Sequence, residues 1–450
     1  MSERFKLVPI TLFVFLLLFR PSIVPIDTIY QLTAFSLFML FREARSGRLR
    51  VKDWLSRVIG KKYVIAVLLA FAGLIALAFV YNWAFYGLDR ATVASFFMAI
   101  ARFLVTFAVL PINLIWLLIY CKNNKLFVDD VLKVVFYAIV LQLICVIAAY
   151  AIPPVKDFFI WLMQANGNWH ERWTSNGLAD YRMYGFAKSL FDTFGFGLGI
   201  LSAVPWIIAY RLKNLKYLLI LPVMFFAVFI NARTGIVIMS VTTAVFLGFF
   251  IANWQRFSGS AKKIAKQNKY ALLALFLLLF VSVLGIKNFM DRGGYLSRAI
   301  WRDIRAYVSY VISGGDSATI ARTQASKNFS KAFWTTPEDP VQLFVGAGQS
   351  VYGNDSVQDF SSDVGYINNI WLFGVIGTIM LHLMMMYALW KYRPAGAYGA
   401  MFAIVSIVSI LLFQIKGSAF WSANLGISSI LLVYFIGHYE RLLGGERLRG

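Results

Sequence analysis

The chain has 450 residues, of which 60% are hydrophobic and 14% charged, and its mean hydropathy of +0.70 is far above that of a water-soluble domain. Those values exclude a soluble enzyme and leave a polytopic membrane protein. The formal net charge of +22 does not imply nucleic acid, because the basic residues fall between apolar runs, where they set topology and meet anionic lipid. Cys121 and Cys145 lie in or beside apolar segments, so neither a disulfide framework nor a cysteine-based metal site is expected.

A helix needs about 20 predominantly apolar residues to cross a bilayer, and by that rule the sequence predicts an all-α bundle of about twelve spans. They run over residues 5–24, 26–42, 62–82, 92–120, 128–152, 185–210, 217–232, 234–253, 270–288, 366–390, 399–415 and 418–437. Residues 1–450 form a single integral membrane domain in this reading. The first run ends in Arg20 and Pro21 in place of a small-residue cleavage site, so it is expected to be a retained span.

Positive residues are kept in the cytoplasm. The connection REARSGRLRVKDWLSRVIGKK carries eight Lys and Arg residues and WQRFSGSAKKIAKQNK carries five. With twelve spans, 26 of the 43 basic residues share that side with both termini. The two long connections on the other side, 153–184 and 287–365, each balance to zero net charge. Loops of that length on a polytopic protein are usually functional.

In chain order, the first outer loop carries His170 within GNWHERW and ends in YRMYGF. Next comes NARTGIVIMS, which places Arg233 inside the run from Tyr217 to Trp254, otherwise free of ionisable groups. An arginine at mid-bilayer costs at least a few kcal/mol. About 37 residues would make roughly 55 Å of helix, right for two crossings. Asn231 to Gly235 is therefore expected to be a tight turn at the outer membrane edge. The second outer loop opens with YLSRAIWRDIRAYVSYVI, a predicted interfacial helix with Leu296, Ile300, Ile304, Val308 and Val311 on one stripe and Arg298, Arg302, Arg305 and Ser309 on the other. The basic stripe suits lipid phosphates or a substrate. A polar, glycine-rich stretch, VGAGQSVYGNDSVQDFSSDVGY, leads into the tenth span.

An Arg-Thr-Gly turn between two helix ends, preceded by YRMYGF and followed by a long loop with ARTQ, LFVGAGQ and SSDVGYINNIWLFGVIG, resembles the O-antigen ligase and Wzy-type O-antigen polymerase superfamily in order and spacing over residues 180–380. The resemblance implies an inner-membrane glycosyltransferase that uses an undecaprenyl diphosphate-linked oligosaccharide as donor and acceptor at the periplasmic face, without nucleotide sugar. A chain-length regulator protein is a further implied partner, alongside membrane lipids. The ligases carry a histidine late in the long loop, whereas this chain has none between His170 and His382. That departure favours polymerase over ligase. A ligase that transfers polymer to lipid A core, and a lipid-linked glycan flippase, remain the alternatives.

The chemistry agrees with the resemblance. A departing diphosphate needs its charge neutralised, and guanidinium groups stay charged and bind phosphate oxygens in a bidentate fork. Arg182, Arg233 and Arg322 lie in the outer segments that match and are the expected catalytic arginines. Arg233 could instead be a snorkelling anchor. Asp363 is the first candidate base, with helix capping as its competing role and His170 as the other candidate. Arg298, Arg302, Arg305 and Tyr366 are the expected substrate contacts, while His382 is expected to be a packing residue. The outer-loop carboxylates Asp316, Glu338, Asp339, Asp355, Asp359 and Asp363 are scattered, so a metal-independent enzyme without a cofactor is expected.

Overall fold

A computed structural model describes residues 3–21, 27–46, 109–162, 183–188, 191–253, 334–351, 362–420 and 424–447, with a few isolated positions between 73 and 101; the side chains of residues 3–6, Phe191, Arg233 and 441–447 are excepted. Among the described residues, all regular structure is helical. The elements are α1 (Glu3–Phe19), α2 (Thr28–Arg45), α3 (Leu110–Asn123), α4 (Val128–Ala151), α5 (Pro153–Leu162), α6 (Phe191–Leu201) and α7 (Ala203–Leu212). After a 3-10 turn over Leu215–Ile220 follow α8 (Leu221–Asn231), α9 (Arg233–Ala252), α10 (Pro340–Val345), α11 (Gly365–Lys391), α12 (Ala397–Phe413) and α13 (Leu425–Arg447).

Four stretches are long and apolar enough to cross a membrane, namely Val128–Ala151, Asp192–Leu212, Thr234–Ala252 and Gly365–Lys391, and four shorter apolar helices accompany them. Large apolar side chains stand exposed on their outer faces, among them Ile144, Leu247, Ile376, Ile379, Leu383 and Trp390. Such a surface is a liability in water and is satisfied by lipid tails. The chain is thus a helical, membrane-embedded bundle. Apart from isolated positions, the expected spans 62–82 and 270–288, and most of 92–120, lie outside the described residues.

Cross-helix contacts fix the helix directions. Thr234 bonds Asp192 at 2.8 Å and Trp206 packs on Phe250, so α6 and α7 run parallel to α9. Phe136 packs on Tyr217 and Tyr150 on Phe226, so α4 runs parallel to α8. The end of α7 meets the start of α4 where Arg211 bonds Asp129 at 2.5 Å. It follows that α8 and α9 are antiparallel, joined only by Ala232 in an extended conformation (φ −157°, ψ 122°). The expected five-residue turn is a one-residue break, and Arg233 is already the first residue of α9.

The bundle therefore has two distinct ends. At one, Arg211 also bonds Glu440 at 2.6 Å, and Tyr398 bonds the same carboxylate at 2.5 Å, which ties α4, α7, α12 and α13 together. The α3–α4 turn with Lys122 and Lys125, the end of α2 through the Asn123–Glu43 bond, Lys213 and the α11–α12 connection with Lys391 and Arg393 gather there. The other end holds the start of α9, together with Arg20 after α1 and Asp27 before α2.

Small residues set the central helix contact. A Cβ on Gly195 would fall 2.7 Å from the Ala232 side chain and 3.1 Å from the Gly235 backbone, and one on Gly199 would strike Ile238. The i,i+4 glycine pair lets α6 approach α9 backbone to backbone, the usual solution where lipid tails supply no hydrophobic drive between helices. Between α2 and α3, Asn113 accepts from Ser36 at 2.8 Å and donates to Thr33 at 2.7 Å.

The stretch Gly365–Lys391 departs from the single crossing expected over 366–390. Gly374 sits at φ 66°, ψ 179° inside it, a region open essentially to glycine alone. A continuous helix would hold Tyr366 and His382 about 24 Å apart, yet their rings stack with centroids 5.1 Å apart. The chain folds back at Gly374, leaving residues 375–391, about 25 Å of helix, for the crossing. Backbone of the 344–347 segment fills the bend, since a Cβ on Gly374 would fall 2.1 Å from the Phe344 carbonyl oxygen and one on Gly346 2.6 Å from that of Leu372. Ala347 N–H caps the Trp371 carbonyl freed by the break at 2.8 Å. The glycines of VGAGQ and WLFG are therefore two halves of one backbone contact.

Candidate functional site

The end of the bundle that carries Arg233 is assembled from four short connections. The segment Met183–Lys188, most of YRMYGF, is its anchor. Asn231, buried at the end of α8, donates its amide to the Met183 carbonyl at 2.7 Å and to that of Ala227 at 2.8 Å. Gln142 of α4 donates to the Tyr184 carbonyl at 2.5 Å. Gly185 takes φ 55°, a conformation that favours glycine, and a Cβ there would also press on Cys145 and Gln142 at 3.0 and 3.1 Å. Phe186 packs edge-on against Phe15 and Phe159, and the Lys188 N–H donates to the Phe19 carbonyl at 2.8 Å. The segment is pinned to α1, α4, α5 and α8 at once.

A charge cluster completes that pin. Asp27 caps α2 by accepting from the Ile29 N–H at 3.1 Å and pairs with the Arg20 guanidinium and with Lys188 Nζ at 2.8 Å. Burial alone would raise the Asp27 pKa, but Arg20 and then Lys188 outweigh it and hold the carboxyl at about 2. Two cations serve one anion, so the cluster is net positive.

The N-termini of α6 and α9 lie side by side, with Thr234 donating to Asp192. Each helix start carries a partial positive charge, equivalent to roughly half an elementary charge, that favours anions. Arg233 opens α9 at this end, and Met183, the residue after Arg182 in the chain, is held against Asn231, two residues before Arg233.

Asp363 and Tyr366 flank the start of α11. Asp363 does not cap that helix: Val364 is the N-cap, without a side-chain capping bond, and its N–H is taken by Ser362 Oγ at 3.1 Å. The Asp363 carboxylate is partly exposed and faces Lys416 Nζ at 4.0 Å. Tyr366 donates its hydroxyl to the Leu411 carbonyl at 2.9 Å and stacks on His382, so its polar atom is engaged within the fold. The Gly365 N–H donates to the Gln414 carbonyl at 2.8 Å, which ties this corner to the end of α12, itself packed against α9 and α6. Arg182, Arg298, Arg302, Arg305, Arg322 and His170 lie outside the described residues.

The sequence reading missed the Arg20–Asp27–Lys188 cluster and Asn231. Arg20 before Pro21 and Asp27 before Thr28 marked a charged connection, but the partner is 161 positions away from Asp27. No family model, no curated protein and no solved structure matches this chain.

Proposed function

We propose that the protein is a surface-polysaccharide polymerase of the lipid-linked type, which transfers an undecaprenyl diphosphate-linked glycan onto an incoming lipid-linked repeat unit at the periplasmic face of a bacterial inner membrane. The observation that carries the reading is the position of Arg233 as the first residue of α9, at a bundle end, beside the pinned segment that follows Arg182. An arginine there is offered to a lipid diphosphate with no mid-bilayer penalty. The opposite end, with Lys122, Lys125, Lys213, Lys391 and Arg393, takes the cytoplasmic side by the positive-inside rule.

In this reading Arg182, Arg233 and Arg322 neutralise the diphosphate as it departs, and the positive N-termini of α6 and α9 add to the field it meets. Asp363 accepts the proton of the attacking sugar hydroxyl, with Lys416 beside it to balance its charge. Arg298, Arg302 and Arg305 hold the glycan carrier, while Tyr366, with its hydroxyl bound to the Leu411 carbonyl, supports the corner beside Asp363.

A second reading, a lipid-linked glycan transporter, draws on the broken helix at Gly374, because interrupted helices mark transporter binding sites. Here the break is filled by the 344–347 backbone, which leaves no room for a substrate and favours the polymerase. Deleting the gene separates the classes on a surface-polysaccharide gel. A polymerase leaves single repeat units on the lipid core, a ligase leaves unattached polymer, and a flippase leaves neither; either of the last two patterns overturns the proposal.

A further inference from the structure

We propose that His382, Met385 and Met386 form a binding site for a soft monovalent metal cation, of the copper(I) or silver(I) class, in the crevice between α11 and α12. The inference is independent of the glycan reading. His382 is buried, and its Nδ1 lies 2.7 Å from the Thr378 carbonyl oxygen. A carbonyl only accepts, so Nδ1 carries the proton and Nε2 presents a lone pair. Among the described residues that nitrogen has no hydrogen-bond partner, so a buried acceptor has lost its water without replacement. Tyr366 stacks on one face of the ring and Phe420 meets it edge-on.

The imidazole lines a narrow crevice together with Met385 and Met386. Positions i+3 and i+4 put both thioethers on the histidine's side of the helix. The remaining lining, Leu389, Ile407, Ile410, Leu411 and Phe420, is hydrocarbon apart from backbone. A resident water needs two to four polar partners, and the lining side chains offer one. One imidazole and two thioethers are the ligand set that selects copper(I) over hard cations. Among the described residues no carboxylate or thiolate lines the crevice to balance a divalent charge, which disfavours zinc. The Nδ1–H bond to a backbone carbonyl is the arrangement that fixes ring orientation and raises ligand basicity in metal-bound histidines.

The test uses the full chain purified in detergent and titrated with copper(I), kept reduced by ascorbate against a chromogenic copper(I) chelator. Wild type is compared with His382→Phe and with Met385→Leu/Met386→Leu, a volume-conserving change that preserves packing. Cys121 and Cys145 are present in all three proteins, so the difference in uptake isolates the site. The expected result is one fewer equivalent of tightly held copper(I) per chain in each variant, with zinc uptake equal in all. Equal copper(I) uptake by wild type and the double leucine variant would overturn the proposal. If His382→Phe does not fold, the leucine variant decides alone.

Discussion

Asp27 is the side chain whose chemistry the structure defines most fully. Its folded pKa of about 2 lies below the ordinary value of 3.8. A carboxyl whose folded pKa is depressed contributes stability that is fully present above the unfolded value and is lost as pH falls through the folded one. The contribution of the Arg20–Asp27–Lys188 cluster is thus expected above about pH 4 and disappears toward pH 2. The size of the shift corresponds to roughly 2 kcal/mol at neutral pH. Asp27→Asn should lower the unfolding temperature in detergent at pH 7 by several degrees and flatten its fall between pH 4 and 2. An unchanged acid profile would show that the cluster holds no such energy. None of this was legible in the sequence, because hydropathy and local motifs carry no information on which loop meets which. The position of Asp363 just ahead of α11, by contrast, is legible in the sequence, and no capping bond joins its side chain to that helix.

At the scale of elements, sustained apolar runs bounded by charge were easy to read. Expected spans 128–152, 234–253 and 399–415 correspond to Val128–Ala151, Arg233–Ala252 and Ala397–Phe413, because a long run of hydrocarbon side chains in lipid has no competing structure. The fold-back at Gly374 was hidden, since glycine is ordinary in membrane helices and a positive φ leaves no trace in hydropathy. Nothing in LFVGAGQ marks its packing into that bend either, whereas the i,i+4 spacing of Gly195 and Gly199 is a usable signal of close helix approach. Gly374→Ala combines a φ that L-residues avoid with a Cβ 2.1 Å from the Phe344 carbonyl oxygen. It should destabilise by more than about 3 kcal/mol, seen as a large drop in the detergent melting temperature. Gly248→Ala, where nothing lies within 4 Å of the added Cβ, should leave it unchanged. Similar melting of the two variants would mean that the 344–347 segment does not pack into the bend.

For the whole molecule, the two bundle ends differ in charge, and that asymmetry predicts orientation. Lys125 lies exposed at the Arg211 end and Glu338 is exposed in the 334–351 segment that packs on the bend of α11. In intact spheroplasts an impermeant thiol reagent should label Glu338→Cys and spare Lys125→Cys; the reverse pattern inverts the topology. The central claim, that the Arg233 end transfers glycan from a lipid diphosphate, is tested most directly by polymer formation in proteoliposomes containing only this protein and purified undecaprenyl diphosphate-linked repeat units. Wild type should extend the units into a ladder of polymer. Arg233→Ala at equal protein level should form none, and Arg233→Lys little, because a point charge replaces a fork. A full ladder from Arg233→Ala, or no polymer from folded wild-type protein supplied with its own repeat unit, would contradict the account.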